Sequence, residues 1–73
     1  MSPDTEKVLA GLKVHAVGRQ RSLRAKELTS KLGLRRKIVS NALNWLVVQG
    51  KHPHVCRARE EKGSWYKYWW EEN

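Results

Sequence analysis

The chain is poor in cysteine and has no long apolar run. Its single cysteine, Cys56, excludes an internal disulfide and favours a reducing, intracellular compartment such as the cytoplasm, nucleoid or nucleus. The missing apolar run argues against a membrane-spanning helix, and the first residues, MSPDTEK, lack the apolar stretch of a secretion signal. A length of 73 residues fits one small domain, with a core near the lower limit for independent folding.

Acidic residues are scarce and lie at the margins. The chain has 15 Lys and Arg against 7 Asp and Glu, a formal net charge of +8. From Lys7 to Arg59, thirteen basic residues accompany one acid, Glu27. This distribution predicts a positive surface directed at a polyanion. An anionic membrane fits less well, because no helix pairs a basic face with a large exposed apolar face.

Catalytic chemistry has little support in the sequence. No paired carboxylates and no Ser-His-Asp arrangement emerge from the few acids, so we expect neither an enzyme nor a small-molecule substrate or cofactor. His52, His54 and Cys56 alternate along a predicted strand and could share one side of it. A fourth ligand is not evident and the spacing matches no zinc module, so we expect no metal site.

The first helix is predicted at about residues 3–16. Ser2 is a favourable cap, Pro3 suits the first turn, and apolar residues then recur at helical spacing. Gly18 is a natural stop. The basic connection after it is expected to end in a very short strand near residues 22–23.

The second helix is predicted at about residues 25–32. Arg24 stands where a capping Ser or Thr is preferred, so Ser22 is an alternative cap for a slightly longer helix. Gly33 permits the left-handed conformation that ends the helix, and Leu34 is expected to point back into the core.

The third helix is predicted at about residues 35–49, ending at Gly50, and it has two distinct faces. The apolar face is assigned to the core and the polar face to solvent. The apolar face carries Ile38, Val39, Ala42, Leu43 and Leu46, and the opposite face carries Lys37, Ser40, Asn41, Asn44 and Val48.

A period of two replaces the helical pattern after Gly50. Residues 52–60 and 64–70 are predicted as two strands of a hairpin, with a turn at 61–63, although Pro53 limits pairing near the start. The second strand is rich in aromatic residues, and one of its faces is expected to look outward. Alternation places Trp65, Lys67 and Trp69 on one face and Tyr66, Tyr68 and Trp70 on the other.

Three helices followed by a hairpin resemble the winged helix-turn-helix family, an α+β fold that is mostly α. The resemblance covers nearly the whole of residues 1–73 as one domain. It is strongest over LRAKELTSKLGL (23–34) and over the apolar positions and glycine of residues 39–51. It implies that the third helix is a recognition helix for a duplex groove and that residues 52–70 form the wing.

A narrower resemblance is to the winged helices that bind Z-form nucleic acid. Those carry Lys, Asn and Tyr at four-residue spacing on the recognition helix, supported by a wing Trp. Lys37, Asn41 and Trp45 have that spacing, and Trp65 lies in the hairpin. Alignment on the core residues instead puts Arg36, Ser40 and Asn44 at those positions, which removes the aromatic residue.

The polar residues of the third helix and the basic residues around it are the candidate binding site. Asn suits adenine edges, and Lys and Arg suit guanine acceptors or phosphates. Base-edge candidates are Lys37, Ser40, Asn41 and Asn44. Phosphate candidates are Arg19, Arg21, Arg24, Lys26, Arg35 and Arg36.

The wing is expected to touch the DNA backbone at most, because Glu60 and Glu61 stand at its tip. Its basic residues are Arg57, Arg59, Lys62 and Lys67. Trp69 and Trp70 are a possible surface for a protein partner or a homodimer.

Binding of double-stranded DNA, as a small transcriptional regulator or architectural factor, is therefore the primary functional prediction. The alternatives are a protein-interaction module that uses the aromatic hairpin, and recognition of a Z-form or RNA duplex.

Overall fold

The order of helices and strands is that of a winged helix. A computed structural model describes residues 2–59, 63 and 65–72. Within these residues the helices and strands are α1 (Pro3–His15), β1 (Leu23–Arg24), α2 (Ala25–Leu32), α3 (Arg36–Asn44), β2 (Val55–Arg59) and β3 (Tyr66–Trp70). A 3₁₀ turn, Arg19–Arg21, precedes β1, and a π-helical turn, Trp45–Gln49, follows α3. The predicted α+β class is confirmed.

Helix α1 begins as its first residues predict. The Ser2 hydroxyl accepts a hydrogen bond from the Thr5 N–H at 3.2 Å, and Pro3 occupies the first turn. The helix ends at His15, one residue before the predicted end, because Ala16 leaves the helical conformation, with φ −132°, and its carbonyl accepts from the Trp70 N–H at 2.7 Å. The short strand β1 lies one residue later than expected.

Helix α2 has the predicted range, but Ser22 does not cap it. Arg24 occupies the cap position, and the Glu27 carboxylate accepts from the Arg24 N–H at 3.1 Å. The same carboxylate oxygen lies 3.5 Å from Arg24 Nε. A guanidinium has no acceptor, so the acid at the third position satisfies the helix start. Gly33 then takes the left-handed conformation, with φ +65°, as predicted.

The predicted third helix is interrupted. It is α-helical only over Arg36–Asn44, and the Gly50 N–H donates to the Trp45 carbonyl at 2.6 Å, five residues back. Gly50 is not left-handed, with φ −77°, and Lys51 takes the positive φ of 45° instead. A side chain at position 50 would displace the Trp45 ring, because a Cβ added to Gly50 would lie 2.6 Å from Trp45 Cζ3.

The three strands form one antiparallel sheet in the order β1-β3-β2. The predicted first strand of the hairpin was too long, because His52–His54 form a turn in which the Val55 N–H donates to the His52 carbonyl at 3.2 Å. His52, His54 and Cys56 therefore do not alternate along one strand. Trp65, predicted in the second strand, lies just outside β3, which begins at Tyr66, while Ser64 and residues 61 and 62 of the predicted turn lie outside the described residues.

The core lies between the three helices and the sheet. Leu34 packs against it as expected, whereas Ile38 is only half-buried at its edge. The buried apolar residues are Val8, Leu12, Ala16, Leu28, Val39, Ala42, Leu43, Leu46, Val55, Tyr68 and Trp69. In the described part of the chain, each helix is too short or too polar to span a bilayer.

Candidate nucleic-acid interface

The polar face of α3 is open to solvent. Lys37, Ser40, Asn41 and Asn44 are all exposed, while Val39, Ala42 and Leu43 on the other side are buried. Lys37 and Asn44 are seven residues apart, which is two turns of helix, so they share the outermost line of this face. Ser40 and Asn41 lie on either side of that line. The four base-edge candidates therefore form one continuous surface.

A cleft separates α3 from the wing on the Ser40 side. We call it the wing cleft, and its volume is about 510 Å³. It is the meeting point of the start of α2, the first turns of α3 and the start of β3. Its lining residues are Arg24, Ala25, Lys26, Arg36, Ser40, Trp65, Tyr66 and Tyr68.

The wing cleft is strongly basic. Lys26 and Arg36 are exposed at its two helical sides, and none of the described residues that line it is acidic. Arg24 is partly engaged already, since its guanidinium lies 5.1 Å from the Trp65 ring centre and its Nε is 3.5 Å from Glu27. Three of the six predicted phosphate-binding residues thus converge on one concavity beside α3.

Two wing arginines face the same side as the cleft. In the β2–β3 pairing, Arg59 is opposite Tyr66 and Arg57 is opposite Tyr68, so each pair shares a face of the sheet. The guanidinium carbons of Arg57 and Arg59 lie 4.0 and 5.1 Å from the Tyr66 ring centre. The contact of Tyr66 with these arginines was not predicted from the sequence. The available signal was that Arg57 and Arg59 alternate along one strand as Tyr66 and Tyr68 alternate along the next.

Other predicted basic residues lie elsewhere. Arg19 stacks on Trp69 at 5.4 Å, and Trp69 alternates with Tyr68, so this arginine is on the opposite face of the sheet from the cleft. By the same alternation Lys67, which is half-buried, leaves the sheet away from the cleft. Arg21 and Arg35 are exposed. Lys62, together with the predicted acidic tip at 60 and 61, lies outside the described residues.

Trp69, one of the two residues of the possible partner surface, is buried. Only 7% of Trp69 is exposed, and its Nε1–H donates to Glu71 Oε2 at 2.8 Å while Arg19 covers its ring. Trp70 is half-buried and stacks on His54 with 4.9 Å between ring centres. Both faces of β3 thus carry buried aromatic residues. Trp65, at 46%, is the most exposed aromatic side chain among the described residues.

Two residues of the Z-form spacing, Asn41 and Trp45, lie on the side of α3 away from the wing cleft. Asn41 and Trp45 line a groove of about 490 Å³ between α3 and the start of α1, which we call the α1 groove, and Ser2 and Asp4 form its other side. Trp65 lines the wing cleft instead. Trp45 and Trp65 are consequently on opposite sides of α3, and Arg36 and Ser40 are the α3 residues beside the wing tryptophan.

The His and Cys residues do not gather into a metal site. Among the described residues, no three His, Cys, Asp or Glu side chains are close enough to hold an ion. His54 Nδ1 is 2.7 Å from the Glu71 carbonyl, and the His54 N–H donates to His52 Nδ1 at 3.2 Å. Burial, with a smaller contribution from Glu71, raises the pKa of the Cys56 thiol above its ordinary value. These residues have structural contacts at the base of the wing.

Comparison with known proteins adds no family assignment. No protein-family model, curated protein or solved structure matches the chain.

Proposed function

We propose that this protein binds double-stranded DNA inside the cell, with the outer face of α3 in the major groove. Basic residues on the wing side of that helix hold the adjacent phosphates. The role is that of a small transcriptional regulator or an architectural factor. The observation that carries the proposal is the exposure of Lys37, Ser40, Asn41 and Asn44 as one surface next to a basic cleft, whose described lining residues include no acid.

The polar face suits a groove because its side chains are short. Ser40, Asn41 and Asn44 let the helix approach base edges closely, and an Asn amide can pair with adenine through two hydrogen bonds. Asn is a poor helix former, so two of them on one exposed face cost the helix stability and favour a binding role. Lys37 adds a donor for guanine O6 and N7.

The charges beside that face suit the phosphate backbone. Arg36 stands in the first turn of α3, where the helix dipole also favours an anion. Lys26 lies in the first turn of α2, and Arg57 and Arg59 lie on the cleft side of the wing. When α3 lies in the major groove of a duplex, we expect the phosphate backbone beside that groove to pass these positions. Their binding would release counterions, which makes the affinity dependent on salt.

Fluorescence anisotropy of a labelled duplex at several salt concentrations tests the proposal. With about five phosphate contacts, the affinity should fall roughly 500-fold between 50 and 200 mM salt. An affinity that does not change with salt, or no binding at 50 mM, would refute it. Circular dichroism of an alternating CG duplex distinguishes the Z-form alternative, because a Z-binding protein inverts the spectrum and a B-form binder does not. An RNA duplex of the same sequence serves as the third ligand.

A further inference from the structure

We infer that the wing cleft binds one unpaired nucleotide next to the duplex on α3, either extruded from it or overhanging its end. This inference rests on the proposed function and adds a second ligand feature to it. The cleft is concave, and its volume of about 510 Å³ lies in the range of small-molecule sites. A phosphate of regular duplex backbone needs only an exposed cation and would leave most of this space empty.

The cleft has the chemistry that a nucleotide requires. Cations stand on opposite sides of it, with Lys26 on α2 and Arg36 on α3, and can hold the phosphate. Ser40 supplies a hydroxyl that can donate to or accept from a base edge. No acid among the described lining residues repels the phosphate.

Trp65 supplies an aromatic surface for the base. It is nearly half exposed at the mouth of the cleft, although a Trp side chain gains from burial. Two neighbours restrict the ring: the Arg24 guanidinium lies 5.1 Å from its centre, and Gly63 is close enough that an added Cβ would lie 3.0 Å from Trp65 Cε2. A ring whose motion is restricted before binding loses less entropy when a base packs against its exposed part.

The nucleotide must be unpaired because a paired base cannot reach the cleft. Bases inside a duplex are stacked on both faces, and only their edges are accessible from a groove. Unstacking costs free energy, and the cost is least for a base that has no pairing partner. A bulged or overhanging nucleotide therefore gains the cleft contacts without this cost, whereas a fully paired duplex does not.

The test measures the affinity for three DNA hairpins with the same stem. One is fully paired, one carries a single extra nucleotide in the stem, and one carries a single-nucleotide 3′ overhang. We expect the protein to bind at least one of the latter two about tenfold more tightly than the paired stem, a typical gain for one stacked base. The difference between them shows whether an extruded or an overhanging nucleotide is preferred.

Substitutions of Trp65 identify the site. Trp65→Leu should remove the tenfold preference, measured as the ratio of the affinities of that variant for the unpaired-nucleotide and paired hairpins, while Trp65→Phe should retain most of the preference because it keeps a π face. Trp45→Leu is the matched control on the far side of α3 and should retain it fully. With 2-aminopurine as the unpaired base, the native protein should quench its fluorescence and Trp65→Leu should not.

Each possible outcome decides the inference. Equal affinity for all three hairpins, with normal salt dependence, overturns the nucleotide site and leaves duplex binding intact. A preference that survives Trp65→Leu, or that Trp45→Leu removes, also overturns it. Binding to none of the hairpins at 50 mM salt refutes both this inference and the proposed function.

Discussion

The guanidinium of Arg57 lies 4.0 Å from the centre of the Tyr66 ring, in the cation–π range, and joins the two strands of the wing. Arg59 is 5.1 Å from the same ring. One tyrosine therefore limits the motion of two cations that would otherwise be on flexible side chains. Because the ring also lines the wing cleft, the position of these charges is coupled to the surface beside α3.

Replacement of Tyr66 by Leu should weaken DNA binding although no charge is removed. Leu keeps an apolar side chain on the strand but releases both arginines, whose ordering on DNA then costs conformational entropy. We expect a loss of about threefold to tenfold, comparable to a cation–π contribution of about 1 kcal/mol. Tyr66→Phe is the control, since it keeps the ring and should retain nearly all the affinity. Anisotropy at constant salt measures both, and equal losses would exclude this role of the ring.

Replacement of Asn41 or Asn44 by Ala should reduce specific binding more than nonspecific binding. Each lost bidentate pair costs about 1–3 kcal/mol at the preferred site and little on random DNA. Ala is the better helix former, so unfolding would not explain a loss. A selected duplex and a scrambled duplex are compared by anisotropy. Val14→Ala, at a residue of α1 that is 71% exposed, is the control. Equal losses of affinity for the two duplexes would contradict the assignment of Asn41 and Asn44 to base edges.

Gly50→Ala should destabilise the fold, although alanine is usually more stable than glycine in helical backbone. Gly50 has helical angles, with φ −77° and ψ −23°, so the backbone itself accepts Ala. The added Cβ would meet the Trp45 ring at 2.6 Å, and overpacking of this kind costs about 1–3 kcal/mol. Urea denaturation measures the loss. In a Trp45→Ala background the same substitution should be neutral or stabilising, and a loss that persists there would show that the ring is not the cause.

Two substitutions of Glu27 should distinguish its role in capping α2 from the effect of its charge on DNA affinity. Glu27→Ala removes the acceptor of the Arg24 N–H and should lower the free energy of unfolding by about 1 kcal/mol. Glu27→Gln keeps an acceptor oxygen and should lower it less. Both remove a negative charge beside the basic surface, so both should raise DNA affinity severalfold. Equal stability of the two variants would contradict the capping role, and unchanged affinity would contradict the electrostatic one.

Local signals in the sequence predicted most of the fold. Ser2-Pro3 and Gly33 mark helix ends through short-range chemistry, and the apolar spacing of residues 39–46 identified the buried face of α3. Errors arose where hydrogen bonds decide that the apolar spacing does not encode. The Gly50 N–H bonds the Trp45 carbonyl in a π-helical turn, and the turn at His52–His54 replaces strand through its own hydrogen bonds.

The sequence predicted which residues of α3 are exposed in the candidate site. It did not predict which basic residues lie beside them. Exposure of Lys37, Ser40, Asn41 and Asn44 followed from helical geometry alone. Which basic residues share a surface depends on tertiary structure. Arg19 stacks on Trp69 on the face of the sheet away from the cleft, whereas the strand register places Arg57 and Arg59 on the face of Tyr66 and Tyr68. Trp69 is in contact with Arg19, fifty residues earlier in the chain, and with Glu71, two residues later. No sequence pattern links these three residues, so the burial of Trp69 could not be predicted.

An NMR titration of the ¹⁵N-labelled protein with a duplex shows which surface the duplex contacts. If α3 lies in the groove, the largest shifts fall on backbone amides of Arg36–Asn44, on the side-chain amides of Asn41 and Asn44, and around the wing cleft. The amide of Val14 on α1 should not move. Shifts confined to the α1 groove or to the Trp69 side of the sheet, with the α3 signals unchanged, would contradict this position of α3.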